Sequence, residues 1–289
     1  MINQFIEKFD LLNEDVNILL STYEKIKENP VYKKVIKMID DGEKFKEIEK
    51  EIVLISENKY TLFVVVLVSA LDIMKKRYDE NGISEEIFWD TVEDLTYKIK
   101  ECKQMYNTFG IEPFTWYEGF FTLRTFKLGR LEFCRVHYYT EGEYVIAVHI
   151  PSCGPLKYED VLDAYKRAYN FFDKTHDSLM AFSCSSWLIN PNYMNEIFKE
   201  GSNIYKFAND YKIFCIKEDE NFHDSWRIFN MHYDSKNLDD LPTETSLQRA
   251  FVKYLKDGKK TGSGVGAFMF DGKNILKCEA DVIKYLFVK

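Results

Sequence analysis

The chain has 289 residues, of which 46% are hydrophobic and 30% charged, with 13 Gly and 6 Pro, a composition that excludes collagenous, low-complexity and disordered classes. Its 39 basic against 47 acidic side chains leave a net charge of -8, which argues against a nucleic-acid groove or an anionic membrane surface as partner. An aromatic content of 16% suits a well-packed core.

Helical periodicity dominates up to about Gly129. Val16, Leu19, Leu20, Tyr23 and Ile26 recur at steps of three and four, and Val31, Val35, Met38 and Ile39 repeat the pattern after Pro30, a residue suited to the first position of a helix. Two helices are expected before Gly42. The segment from Phe45 through Tyr78 holds one or two more; Val64-Val65-Val66 would also suit a strand, but length favours helix. The apolar run Leu62 to Leu71 is closed by Asp72 and Lys75-Lys76-Arg77, short of the about 20 residues a spanning helix needs, and reads as a buried helix. Ser84 caps a helix striped by Ile87, Phe88, Val92, Leu95 and Ile99 and ending near Gly110. Pro113 opens another, with Trp116, Phe120, Leu123 and Phe126 on one face and Gly129 at its end; its Thr and Phe content also admits a strand.

From Arg130 the texture changes to short β-type runs. Leu131 to Tyr139 and Tyr144 to Ile150, joined by Thr140-Glu141-Gly142-Glu143, form an antiparallel pair. A helix from Tyr158 to Phe172 follows, then a strand from Leu179 to Leu188, a helical region from Asn190 to Asn209, and strands at Tyr211 to Lys217 and Trp226 to Met231. Thr245-Ser246-Leu247-Gln248 is a capping box opening a helix to Asp257. The run Gly262-Ser263-Gly264-Val265-Gly266 lacks the strand before and helix after that a dinucleotide fingerprint requires and reads as a flexible loop, followed by a hairpin at Asp271-Gly272 and a short C-terminal helix. The expected fold is α+β, with a helical domain over residues 1–128 and a mixed sheet flanked by helices over 129–289.

The chemistry-bearing residues cluster around one loop. Val148-His149-Ile150 leads through Pro151-Ser152-Cys153-Gly154-Pro155 into a helix, a junction whose backbone amides can hold a phosphate or carboxylate; Glu159 and Asp160 oppose an anion there, and the ordinary reading is a tight connection. His149 is either a core histidine or a cleft-facing acid/base group. Ser183-Cys184-Ser185-Ser186 ends a strand with small polar groups, but Cys184 has no neighbouring histidine and no nucleophile elbow. Six scattered Cys signal neither a disulfide scaffold nor a zinc knuckle, so no metal is expected. The N-terminus lacks the features of a secretory signal, so a cytoplasmic location with no membrane partner is expected.

Several stretches resemble a bacterial family of acyltransferase-domain proteins that joins a helical N-acyltransferase N-terminal domain to a GNAT-like C-terminal domain: Phe126 to Phe133, His149-Ile150-Pro151 with Gly154-Pro155-Leu156, Cys184 to Leu188, Ser202-Asn203-Ile204 and Leu241 to Arg249. The resemblance implies acyl transfer from acetyl-CoA or another acyl-CoA as co-substrate to the amine of a small-molecule or peptide acceptor. His149 is then the candidate base and Tyr205 the candidate acid for the leaving thiolate, with His149, Ile150, Ser152, Cys153, Gly154, Leu156 and Cys184 around the donor. The pyrophosphate loop departs from the usual glycine-rich pattern, and Phe207 occupies the place best suited to the superfamily's tyrosine. The alternative is a non-catalytic GNAT-like module that binds a small ligand or a protein partner.

Overall fold

The structure, a computed structural model, describes residues 1–137, 144–173, 178–234 and 236–277. The chain divides into two compact units, Met1–Lys127 with Pro151–Cys153, and Leu128–Ile150 with Gly154–Lys289.

The first unit is built from helices α1 (Ile2–Phe9), α2 (Asn13–Ile26), α3 (Pro30–Asp40), α4 (Phe45–Ile52), α5 (Lys59–Ser69), α6 (Leu71–Glu80), α7 (Glu85–Val92), α8 (Asp94–Tyr106) and the short α9 (Glu118–Phe121). Pro30 starts α3 beneath an Asn29 cap that accepts from the Val31 amide. The valine run lies in α5, where Leu62 to Val68 are wholly or almost wholly buried. Burial on every side outweighs the modest helix penalty of β-branched residues. Three expectations need correction. An additional helix, α1, precedes the two read before Gly42; the Phe45 to Tyr78 segment is three helices; and the helix capped by Ser84 is interrupted at Glu93 into α7 and α8.

The expected helix from Pro113 to Gly129 is also corrected. It is a 3-10 turn at Phe114–Tyr117, then α9, then strand β1 (Thr125–Leu128). Leu123, at φ 56°, turns the chain, and the Arg124 amide closes on the Gly119 carbonyl. Thr125 and Phe126, the residues that admitted a strand, lie in it.

The remaining elements are β2 (Leu131–His137), β3 (Tyr144–His149), α10 (Tyr158–Phe171), β4 (Met180–Ser186), α11 (Asn203–Asn209), β5 (Lys212–Glu218), α12 (Trp226–Phe229), α13 (Ser246–Lys256), β6 (Gly262–Phe270) and β7 (Ile275–Leu276). The sheet order is β1-β2-β3-β4-β6-β5, with β7 on β6. β2 runs antiparallel to β3, β3 parallel to β4, and β6 antiparallel to β4, β5 and β7. The parallel pair needs a crossover, which α10 supplies. Both hydrogen bonds of the capping box at Thr245 and Gln248 are present at the start of α13. The hairpin loop at 140–143 and the C-terminal helix lie outside the described residues.

Three further readings are corrected in this unit. Trp226 to Met231 is not a strand: it holds the short helix α12, entered from a 3-10 turn at His223–Ser225 and stopped by Asn230 in the left-handed region. The Asn190 to Asn209 region is not continuously helical: a 3-10 turn at Pro191–Tyr193 is followed by turns and bends before α11. The glycine run is the first half of β6 rather than a loop. A Cβ on Gly264 would lie 2.3 Å from the Ile189 carbonyl oxygen, and one on Gly266 would meet Tyr211 and Ile213 at 2.8 to 3.0 Å. These glycines let another backbone lie on the strand, which is why a strand carries so few side chains here.

Candidate active site

The parallel strands β3 and β4 share the register Ile146↔Phe182 and Ala147↔Ser183. The ladder between them stops there, yet β3 runs on to His149 and β4 to Ser186. Over that stretch each strand keeps its outer neighbour: Val148 and His149 face Phe133 and Glu132 of β2, while Cys184, Ser185 and Ser186 face Gly266, Val265 and Gly264 of β6. Two strands that remain anchored outside while parting inside leave a wedge open at their C-terminal ends.

The two faces of the sheet differ at this wedge. On the α10 face, Tyr165 packs against Phe133, Phe182 and Phe268 at ring distances of 6.5, 5.4 and 5.0 Å. Cys184, two residues beyond Phe182, shares that face by strand alternation. It is 3% exposed, and burial pushes its thiol up to about 12, so it forms part of the wall and is not a nucleophile. On the opposite face, Val145 joins Ala181 and Met269 in an apolar cluster. His149 continues that face toward the wedge, with Glu132 across from it on β2, and Ser183 and Ser185 of β4 lie on the same side. His149 and Cys184, named together from sequence, therefore stand on opposite faces.

The loop after β3 is held from below. The Arg130 guanidinium donates to the Gly154 carbonyl at 2.7 Å and to the Pro155 carbonyl at 3.1 Å. Gly154 sits at φ 101°, a conformation other residues rarely adopt, with open space where a Cβ would be. Leu156 is half-buried, and α10 begins behind Lys157 with no side-chain cap and with Glu159 and Asp160 in its first turn. Ser152 and Cys153 group with the first unit. There the Ser152 hydroxyl donates to Glu101 at 2.5 Å, and Glu101 pairs with Lys98 at 3.0 Å.

Residues 125–268 match the family model of a GNAT-like C-terminal domain, and residues 1–123 that of an N-acyltransferase N-terminal domain. The chain joins an N-acyltransferase N-terminal domain to a GNAT-like C-terminal domain. No curated protein matches it significantly. Among solved structures, it is similar to an acyltransferase mutant in complex with octanoyl-CoA (TM-score 0.74, 19% identity), an acyltransferase in complex with decanoyl-CoA and teicoplanin (0.72, 19%) and an acyltransferase in complex with decanoyl-CoA (0.74, 18%). Each superposition covers 92% of this chain and 86% of the other. At that identity the likeness is one of fold.

Within the GNAT-like domain, Tyr205 is half-buried in α11, its amide donating to the Ser202 cap at 3.2 Å. Phe207 is fully buried and packs on Tyr211 at 5.3 Å, so its position belongs to the core. Sequence reasoning missed a polar group behind the wall. Asp210, 6% exposed, accepts from Tyr158 at 2.6 Å, and next to it the Tyr165 and Tyr211 hydroxyls lie 3.0 Å apart. An acid just after a helix reads as a surface residue, and only packing against α10 buries it. Among the described residues no group of three or more His, Cys, Asp or Glu side chains is arranged to hold a metal, and no helix is long and apolar enough to cross a membrane.

Proposed function

We propose that this protein is an acyl-CoA-dependent N-acyltransferase. The observation that carries the reading is the wedge between β3 and β4 beyond Ala147↔Ser183, with His149 at its mouth. An extended donor rich in amides, such as the pantetheine arm of CoA, finds strand edges to bond in such an opening. The family models and the acyl-CoA complexes of the structurally similar acyltransferases support the same donor.

In this reading the acceptor nitrogen attacks the thioester carbonyl; the C–N bond forms and the C–S bond breaks. His149 takes the proton that the nitrogen sheds, and the Tyr205 hydroxyl supplies one to the departing thiolate. Backbone donors around Ile150, Ser152, Cys153 and Gly154, together with Leu156 and Cys184, form the donor site. The acceptor is a small-molecule amine, a class supported by the similar acyltransferase that carries teicoplanin. We assign the domains as 1–128 and 129–289. We place the protein in the cytoplasm, a reading supported by the free state of Cys102, Cys134, Cys153, Cys184 and Cys215.

The test is a thermal-shift panel of CoA, acetyl-CoA, octanoyl-CoA and decanoyl-CoA. A ligand at a hundredfold its dissociation constant stabilises by about 2.7 kcal/mol. A shift with one thioester, followed by turnover on an amine panel, is expected; no shift with any of them overturns the proposal. One observation favours the alternative, a GNAT-like module that binds without turnover: Glu159 and Asp160 occupy the helix turn where a pyrophosphate would sit. Binding of acyl-CoA without transfer to any amine is its signature.

A further inference from the structure

We infer that Asp210 is a positioning residue of the donor site: through Tyr158 it holds the start of α10, and the loop Gly154–Leu156 before it, against α11 by a latch that loosens as the pH rises. The inference rests on the acyltransfer reading for its purpose and on the packing of the GNAT-like domain for its geometry. Tyr158 is the first residue of α10 and stands two residues after Leu156. Its hydroxyl donates at 2.6 Å to Asp210, the residue after α11, and the Lys206 ammonium of α11 lies 6.0 Å from the centre of its ring. α10 has no side-chain cap of its own, so these contacts steady a helix end that would otherwise fray. Arg130 holds the other end of the same loop at the carbonyls of Gly154 and Pro155.

The latch is acidic and buried, which makes it sensitive to pH. Asp210 is 6% exposed, and its second carboxylate oxygen, Oδ2, is buried with no hydrogen-bond partner among the described residues. The groups around it are neutral. Tyr158 and Tyr165 face it from α10 and Tyr211 from beyond α11, with the Cys184 thiol of β4 behind the two inner hydroxyls; burial raises the ionisation of all four. The turn Trp187–Ile189, which also packs on α11, has no charged side chain. Lys277, exposed beyond β7, is the cation that acts on Asp210, and it forms no ion pair with it among the described residues. A carboxylate there loses water and gains no close counter-charge, so burial outweighs the Tyr158 bond and raises the carboxyl toward neutrality.

The direction of the effect follows. With α10 packed on α11 the carboxyl keeps its proton; with the contact open it is hydrated and ionises as an ordinary carboxylate. The open form is therefore favoured progressively as the pH rises from about 4 to about 7, and the closed form, which presents Gly154 to Leu156 to the donor, falls in population. By the same linkage, acyl-CoA bound to the closed form strengthens the hold of Asp210 on its proton.

The experiment compares the wild type with Asp210→Asn, which keeps an acceptor for Tyr158 and cannot ionise, at about pH 5 and about pH 8. Without ligand, NMR reads hydrogen exchange of the Val161 amide, which bonds to the Lys157 carbonyl at 3.1 Å in the first turn of α10. Relative to the variant, wild-type protection should fall about tenfold or more between the two pH values. In calorimetric titration with decanoyl-CoA the two proteins should bind within about twofold of each other at the lower pH, and the wild type about fivefold or more weakly at the higher. The difference should fall on KM for acyl-CoA, with kcat at saturating donor within about twofold. Affinity is the readout that a merely structural carboxyl would leave unchanged, since a folded protein binds alike whatever its margin of stability. Tyr158→Phe, which lacks the bond at every pH, should weaken binding roughly 3- to 10-fold at the lower pH. A protection ratio equal at both pH values overturns the latch, and a latch seen by exchange with no matching change in affinity overturns the positioning role. Should Asp210→Asn fail to fold, the carboxyl carbon signal of Asp210 in the wild type decides: a midpoint above about 6 is expected, and one in the ordinary carboxylate range overturns the latch. Exchange needs no substrate, so a protein that binds no acyl-CoA at either pH would refute the proposed function while leaving the latch to be judged on the Val161 amide.

Discussion

The Tyr158 hydroxyl donates a 2.6 Å hydrogen bond to Asp210, joining the first residue of α10 to the residue that closes α11. Burial pushes the Asp210 carboxyl up from 3.8 to about 7, against the opposing influence of the Tyr158 bond and of Lys277. The folded chain thus holds a proton that the unfolded chain has released between about pH 4 and pH 7. Stability from this group is complete below about pH 4 and is lost as the pH rises through about 7. Asp210→Asn, which keeps the acceptor for Tyr158 and removes the charge, should therefore stabilise the protein at pH 8 by roughly 2 to 4 kcal/mol and leave it nearly unchanged at pH 4. Urea denaturation at the two pH values measures the difference; an equal effect at both would show that the carboxyl does not titrate in this range.

Replacing Gly264 with Ala should destabilise the fold by about 1 to 3 kcal/mol, because the new methyl would lie 2.3 Å from the Ile189 carbonyl oxygen. Gly42→Ala is the comparison. Gly42 has open space around a Cβ and suffers only its backbone conformation, φ 78°. Denaturation midpoints should rank Gly264→Ala well below Gly42→Ala.

Arg130→Ala removes both donors that hold the carbonyls of Gly154 and Pro155. The loop after β3 should loosen, and the dissociation constant for acyl-CoA should rise about 3- to 10-fold, the equivalent of one modest hydrogen bond. Calorimetric titration with decanoyl-CoA reads this directly. Affinity equal to the wild type would place the donor's phosphates away from this loop.

His149→Ala and Tyr205→Phe separate two steps of the same reaction. The first should lower turnover by about two to four orders of magnitude and the second by about one to two, each with acyl-CoA binding nearly intact. A His149→Ala protein that is destabilised but keeps its specific activity would assign the residue to the core.

The parts of the fold legible in the sequence are those whose signals are local. Pro30, Ser84 and the Thr245–Gln248 box mark helix starts that the structure reproduces, because capping is a matter of three or four neighbouring residues. The strand that ends at His149 is readable for the same reason. What escaped is tertiary. Glu132 looked like one acid in an apolar strand until the β2–β3 register set it opposite His149. Trp226 to Phe229 has the aromatic and branched content of a strand, yet the left-handed residues Phe222 and Asn230 at its borders fold it into a single helical turn. Phe114 to Leu128 misled in the opposite direction, since its apolar spacing fits a helix while Leu123 turns the backbone away from one.

The alternating glycines of β6 bear on how inactivating substitutions would be mapped. Gly264 and Gly266 lie opposite Ser186 and Cys184, the stretch of β4 that forms one wall of the wedge. A side chain at Gly264 would push against the turn at Ile189, immediately downstream of that wall, and move it without touching any reacting group. A screen for lost activity would collect variants at these positions beside those at His149. Their distinguishing mark would be geometric tolerance: serine and alanine should be rejected at Gly264 as firmly as larger residues, since the first carbon is already too many.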